Sequence, residues 1–167
     1  IVAGCYQPLK EPAFYPMADP ALYAAVDEGG TRINSYEFRT GKVRSIILDL
    51  QTAKGPSLKQ IKGFVLNPQE TWMLFWTDQT PVYRHSFLTT YYLYDIRHNR
   101  IQPLSEKGDN QRDARFSPDG RSVSFARDNN LFIKRLDFGT EIQVTTDGVV
   151  NGILNGIADW VYEEEFR

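Results

Sequence analysis

The chain has 167 residues, of which 41% are hydrophobic and 13% aromatic, enough to enclose a sizeable core. Nineteen Lys+Arg against 21 Asp+Glu leave a formal net charge of -2, which argues against broad electrostatic capture of nucleic acid. The single cysteine, Cys5, excludes an internal disulfide and a multi-cysteine metal site, and no apolar run approaches the roughly 18 residues of a membrane span.

In chain order, Val2-Ala3-Gly4-Cys5 has the look of a lipoprotein processing site but lacks an apolar segment before it. It reads as an ordinary surface strand or turn. Residues 20–28, with their Ala-Leu-Tyr-Ala-Ala stretch, read as the lead-in to a strand over 23–26 rather than as a helix. Ile33, Ser35, Tyr36 and Phe38 then lead into the turn pair Thr40-Gly41, and Val43, Ile46, Ile47 and Leu48 follow. Leu74-Phe75-Trp76, Val123-Ser124-Phe125 and Leu131-Phe132-Ile133 are short runs of β-branched and aromatic types, bounded by Gly, Pro, Asn or Asp. That pattern predicts many short antiparallel strands, and no βαβ alternation appears, so the expected class is all-β.

An internal repeat refines the expectation. Val65-Leu66-Asn67-Pro68-Gln69-Glu70 and the strand after it align with Arg115-Phe116-Ser117-Pro118-Asp119-Gly120 and its following strand, at an offset of about 50 residues. Proline presets φ at the second turn position, and Asp-Gly completes a tight reversal. Each unit continues into a second hairpin, one through 97–100 and one through 137–140, and 36–43 is an earlier copy of that hairpin. Two hairpins per unit of roughly 40 to 50 residues describe a four-stranded antiparallel β-propeller blade. The count is about two complete blades, a partial one before them and the start of another after them.

One repeat is longer than the other. Where the later copy has Asp128-Asn129-Asn130, the earlier runs from Asp78 to Tyr91, about ten residues more, and contains Tyr83-Arg84-His85-Ser86. Extra length on one repeat maps to a loop on one face, often a binding face. Motifs for a nucleophile elbow, a phosphate loop or a zinc helix are absent, and His85 and His98 lack metal-ligand spacing. No cofactor and no metal is expected, and His98 reads as a solvated turn residue. At the end of the chain, Glu163-Glu164-Glu165 stand framed by Trp160, Tyr162 and Phe166. By themselves these residues read either as a site or as a solvated acidic face, although the aromatic frame favours packing.

Asp159-Trp160-Val161-Tyr162-Glu163-Glu164-Glu165 resembles the double-glutamate motif of the dipeptidyl peptidase IV family, serine exopeptidases of the prolyl oligopeptidase clan. Tyr83-Arg84-His85-Ser86 resembles that family's substrate-contacting arginine segment, and the resemblance extends from about Tyr23 onward. It departs from many relatives at Phe166, where they carry a small apolar residue. The resemblance implies that Glu164 and Glu165 bind the free N-terminus of a peptide, with Glu163 outside the pair, and that Arg84 orients a substrate carbonyl. It further implies that the Ser–Asp–His triad lies in a C-terminal α/β-hydrolase domain absent here, so that the chain alone is inactive. The expected partners are peptides with a free N-terminus and that hydrolase domain. Unpaired blade edges imply a homo-oligomer, and the implied location is exported, periplasmic or at the cell surface.

Adjacent strand residues face opposite ways, so two neighbouring glutamates serving one amine require a short helical turn over about 159–165, with Asp159 as its N-cap. Without a ligand, two close carboxylates are expected to raise the pKa of one of them, and a cation such as Arg84 would counter that. The chain opens at Ile1 and stops mid-pattern at Arg167, which suggests part of a larger protein. The alternatives are a non-catalytic propeller scaffold for protein interactions or, more weakly, a small sugar- or lectin-type β domain.

Overall fold

Local turn chemistry cuts the chain into its strands. In the turn after Phe116, the Asp119 carboxylate accepts from the Ser117 hydroxyl at 2.5 Å and from the Arg121 N–H at 3.1 Å. These bonds, the Ser117 hydroxyl first, hold Asp119 below the usual carboxylate range. Gly120 follows at φ +67, a conformation that costs a residue without Cβ nothing. In the equivalent earlier turn, Asn67 Oδ1 accepts from the N–H groups of Thr71 and Trp72 at 2.8 and 2.9 Å. The Asn67 side-chain amide also donates to the Gly120 carbonyl at 3.3 Å, so the two repeated turns touch.

The computed structural model describes residues 14–108 and 110–165. Cys5, Phe166 and Arg167 lie outside the described residues. The first sheet pairs β1 (Phe14–Pro16), β2 (Leu22–Val26), β3 (Arg32–Glu37) and β4 (Val43–Asp49) in chain order. The second begins with β5 (Gly63–Leu66) and β6 (Trp72–Trp76), and the chain then leaves it for a separate hairpin of β7 (Thr80–Tyr83) and β8 (Ser86–Leu88). It returns with β9 (Tyr91–Asp95) beside β6 and β10 (Arg100–Pro103) at the edge. The third sheet is β11 (Arg112–Phe116), β12 (Ser122–Arg127), β13 (Asn130–Arg135) and β14 (Thr140–Gln143). All strand pairs within these sheets are antiparallel. The helix α1 (Trp160–Glu164) completes the described elements. Among the described residues no helix is long and apolar enough to cross a membrane.

The fold is all-β, built of four-stranded propeller blades with one helical turn at the glutamates. Three sheets are four-stranded, where the sequence reading counts two complete blades and a partial first one. The added strand is β1, whose three residues end in Pro16 and are too few to display alternation. After β14 the described chain reaches α1 without another strand, so the expected start of a further blade is not found among the described residues.

Burial explains the apolar run in β6. Met73 and Phe75 face the first sheet, packed with Ile33, Leu48 and Phe64, while Leu74 faces the third, packed with Leu93, Val123 and Phe125. A middle blade is covered on both faces, so its central strand loses the polar half of the usual alternation.

At the rim of the first sheet, Asp49 accepts from the Gln51 N–H at 2.9 Å and pairs with Arg32 Nε at 2.8 Å. The Gln51 bond is the main cause lowering its pKa from 3.8; burial opposes it and Arg32 adds to it. A depressed native pKa contributes stability that is complete above the unfolded value and lost as pH falls through the folded one. Asp49→Asn is therefore expected to cost about 1 kcal/mol at pH 7, kept small by the exposure of Arg32. The difference should be smaller at a pH below 3.8 than at pH 7, and smaller still as acid is added. Urea titrations at the two pH values measure it; an equal cost at both would contradict the assignment.

Candidate functional site

The inserted segment forms a hairpin of its own, although none of β7 is buried. Trp76, at the end of β6, packs on Phe87 with ring centroids 5.7 Å apart and ties the hairpin to the second blade. Where the hairpin ends, Thr89 and Gln111 exchange backbone hydrogen bonds of 2.9 and 2.8 Å, joining it to the third blade. Gln111 is fully buried, its side chain accepting from the Tyr91 N–H at 3.0 Å and donating to the Gly108 carbonyl at 3.1 Å. Arg84 thus sits at the tip of a hairpin fixed to two blades at its base.

Asp159 starts α1 as an N-cap in extended conformation, its carboxylate accepting from the N–H groups of Val161 and Tyr162. The Glu165 N–H closes the turn on the Val161 carbonyl at 2.8 Å. Successive residues of a helical turn point about 100° apart, so three glutamates in a row take three directions. Each of the three meets different surroundings.

Glu163 points inward and is 6% exposed. Its Oε1 accepts from the Arg112 guanidinium and its Oε2 from the Ser86 hydroxyl at 3.0 Å. Glu164 turns to the hairpin tip. Its Oε2 accepts from the Arg84 backbone N–H at 2.8 Å, and its Oε1 lies 3.4 Å from Arg84 Nη2. The side chain of Glu165 is exposed and has no hydrogen-bond or ion-pair partner among the described residues. The structure therefore brings Arg84 and Glu164 together, leaves Glu165, the next residue of the turn, open to solvent with no side-chain hydrogen bond or ion pair to either, and gives Glu163 a separate buried position.

The Arg84–Glu164 pair is 60% and 32% exposed, so it holds little energy by itself, about 1 kcal/mol or less. Its guanidinium and carboxylate retain unused donor and acceptor positions for a ligand. A cleft of about 350 Å³ is lined by His85, Ser86, Asp113, Arg115, Tyr162 and Glu163 among others, which include the sequence neighbours of Arg84 and Glu164 but neither member of the pair. Chemically, the guanidinium of Arg84 and the partly exposed carboxylate of Glu164 stand in contact, with a second, exposed carboxylate on the next residue; such groups can donate to a carbonyl and accept from a cation.

Sequence reasoning did not single out Arg112, and it named Ser86 only as part of the arginine segment. A usable signal exists: on a helical turn, one of three consecutive glutamates must face the body of the protein, and a buried carboxylate requires a cation.

Comparison with known proteins follows the same residues. The family described as the dipeptidyl peptidase IV (DPP IV) N-terminal region matches residues 67–167. A probable dipeptidyl-aminopeptidase B from Arthroderma gypseum is 32% identical over 99% of this chain and 19% of its own length. Another, from Talaromyces stipitatus, is 42% identical over 64% of this chain and 13% of its own. The crystal structure of Porphyromonas gingivalis dipeptidyl peptidase 4 superposes with a TM-score of 0.88 at 42% identity, over 93% of this chain and 22% of that one. The chain thus spans about a fifth or less of the length of the curated relatives it matches.

Proposed function

The chain belongs to the dipeptidyl peptidase IV family, and from that premise we propose that it is the substrate-recognition region of a serine dipeptidyl peptidase. In this reading Glu164 and Glu165 bind the terminal ammonium of a peptide and Arg84 donates to its first carbonyl. An α-amino group has a pKa of about 7.7–8.0 and is mostly charged at neutral pH, so carboxylates select it over a blocked terminus. Anchoring the amine sets a ruler: the bond after the second residue falls at the nucleophile, and an Xaa-Pro or Xaa-Ala dipeptide is released. The Ser–Asp–His triad is assigned to a C-terminal α/β-hydrolase domain of a longer chain. Assembly as a homo-oligomer and export to the periplasm or cell surface belong to the same proposal.

The observation that carries the reading is the meeting of Arg84 and Glu164, 80 positions apart, at the tip of one hairpin and on the only helix described. The test compares a Gly-Pro reporter with its N-acetylated form. The full-length protein is expected to cleave the first at least 100-fold faster, since acetylation removes charge-assisted bonds worth about 1.5–3 kcal/mol each. The isolated 167-residue chain should cleave neither. Equal turnover of the two reporters by the full-length protein, or cleavage by the isolated chain, would refute the assignment.

A further inference from the structure

The carboxylate that the anchor does not use is the most heavily engaged of the three. Glu163 lies at the junction of three elements that do not adjoin in sequence: the β7–β8 hairpin through Ser86, the third blade through Arg112, and α1 itself. Both of its oxygens are taken, and its backbone carbonyl accepts from the His85 N–H at 3.0 Å. Arg112 is itself held in place, since the neighbouring Gln111 is bonded to the hairpin's exit on both backbone groups. Its side chain is 12% exposed; its other ionic neighbour, Asp113, stands 3.4 Å from Nε. Arg84 and Glu164, the pair facing solvent, each adjoin one member of this buried cluster in sequence, Arg84 two residues before Ser86 and Glu164 one after Glu163.

We infer that Glu163 is a positioning residue, whose bonds to Arg112 and Ser86 set the separation and orientation of Arg84 and Glu164. The inference rests on the proposed anchoring of a peptide terminus by those two residues. Glu163 touches no substrate; it acts by clamping the glutamate-bearing turn against the arginine-bearing hairpin. The exposed pair cannot perform that task alone, because an ion pair open to water is weak and leaves its side chains free to move. The buried carboxylate has an obligatory geometry, since losing either partner leaves a charge or donor unsatisfied in the interior.

The test uses the full-length enzyme with Glu163→Gln, Arg112→Met, their combination, Ser86→Ala and Glu164→Gln. Loosening the anchor removes binding shared by ground and transition states, so KM for a free-amine dipeptidyl substrate should rise about tenfold in Glu163→Gln and in Arg112→Met. Their kcat should stay within about twofold. The double variant should be no worse than about twice either single one, because the two groups act as a unit. Ser86→Ala keeps the ion pair and should raise KM about threefold, and it decides the matter if the charge variants do not fold. Lowered melting temperatures with unchanged KM would reduce Glu163 to a purely structural role and overturn the inference, as would additive effects in the double variant. Glu164→Gln separates the two levels. If it raises KM while the Glu163, Arg112 and Ser86 variants do not, positioning alone fails; if it leaves KM unchanged, the anchoring reading fails.

Discussion

Replacing Glu164 and Glu165 together by alanine in the full-length protein is expected to lower kcat/KM for a free-amine Xaa-Pro substrate by about 10²–10⁴-fold. Each carboxylate is assigned one charge-assisted hydrogen bond to the ammonium, worth about 1.5–3 kcal/mol when water is excluded, and tenfold corresponds to 1.4 kcal/mol. The two single variants should differ in kind. Glu164→Ala also strips Arg84 of its partner at 3.4 Å and of the carboxylate that accepts its backbone N–H, so the carbonyl donor loses its aim. Glu165→Ala removes no side-chain hydrogen bond or ion pair among the described residues, so its effect reports the proposed ammonium bond. Steady-state kinetics with free and N-acetylated substrates reads both. Wild-type kinetics in both single variants would end the amine-anchor interpretation.

What the sequence disclosed about this site depended on the range of each interaction. The turns were legible because their bonds are local: Ser117, Asp119 and Arg121 satisfy one another within five positions, and residue type alone announces the reversal. The helical turn at 160–164 was legible once the family resemblance assigned neighbouring glutamates to one amine, an assignment that a regular strand could not accommodate. The hairpin inside the insertion was less so. All four β7 residues are exposed and one is Pro81, so no alternation marked it as a strand. The need of one glutamate for a cation could be read from the helical turn, but not that Arg112 meets it, because the two join across 51 positions and nothing local distinguishes Arg112 from a solvated arginine. The direction of Glu163 likewise depends on the blade beneath the helix. Resemblance to a family named the pair that faces solvent, and only the packed structure shows the third carboxylate turned inward.

The junction between the first two blades carries the largest expected effect on stability. Phe75 is fully buried, stacks on Tyr92 with centroids 5.5 Å apart, and packs in the cluster that includes Ile33 and Leu48 of the first sheet. Its cross-strand neighbours are Phe64 on one side and Tyr92 on the other, so truncation opens a cavity bounded by both strands of its own blade and by the next blade. Phe75→Ala should therefore cost about 3–5 kcal/mol, the transfer of the ring combined with a void that backbone-paired strands cannot close. Val43→Ala, on a strand of the first sheet but 55% exposed, should cost at most about 0.5 kcal/mol. Urea titration of the two variants of the 167-residue chain makes the comparison. The consequence reaches the site, because the hairpin holding Arg84 departs from β6 directly after Trp76, the neighbour of Phe75. A Phe75 cavity is expected to loosen the support on which Arg84 meets Glu164. Equal costs for the two substitutions would mean that the blades are not packed face to face at this ring.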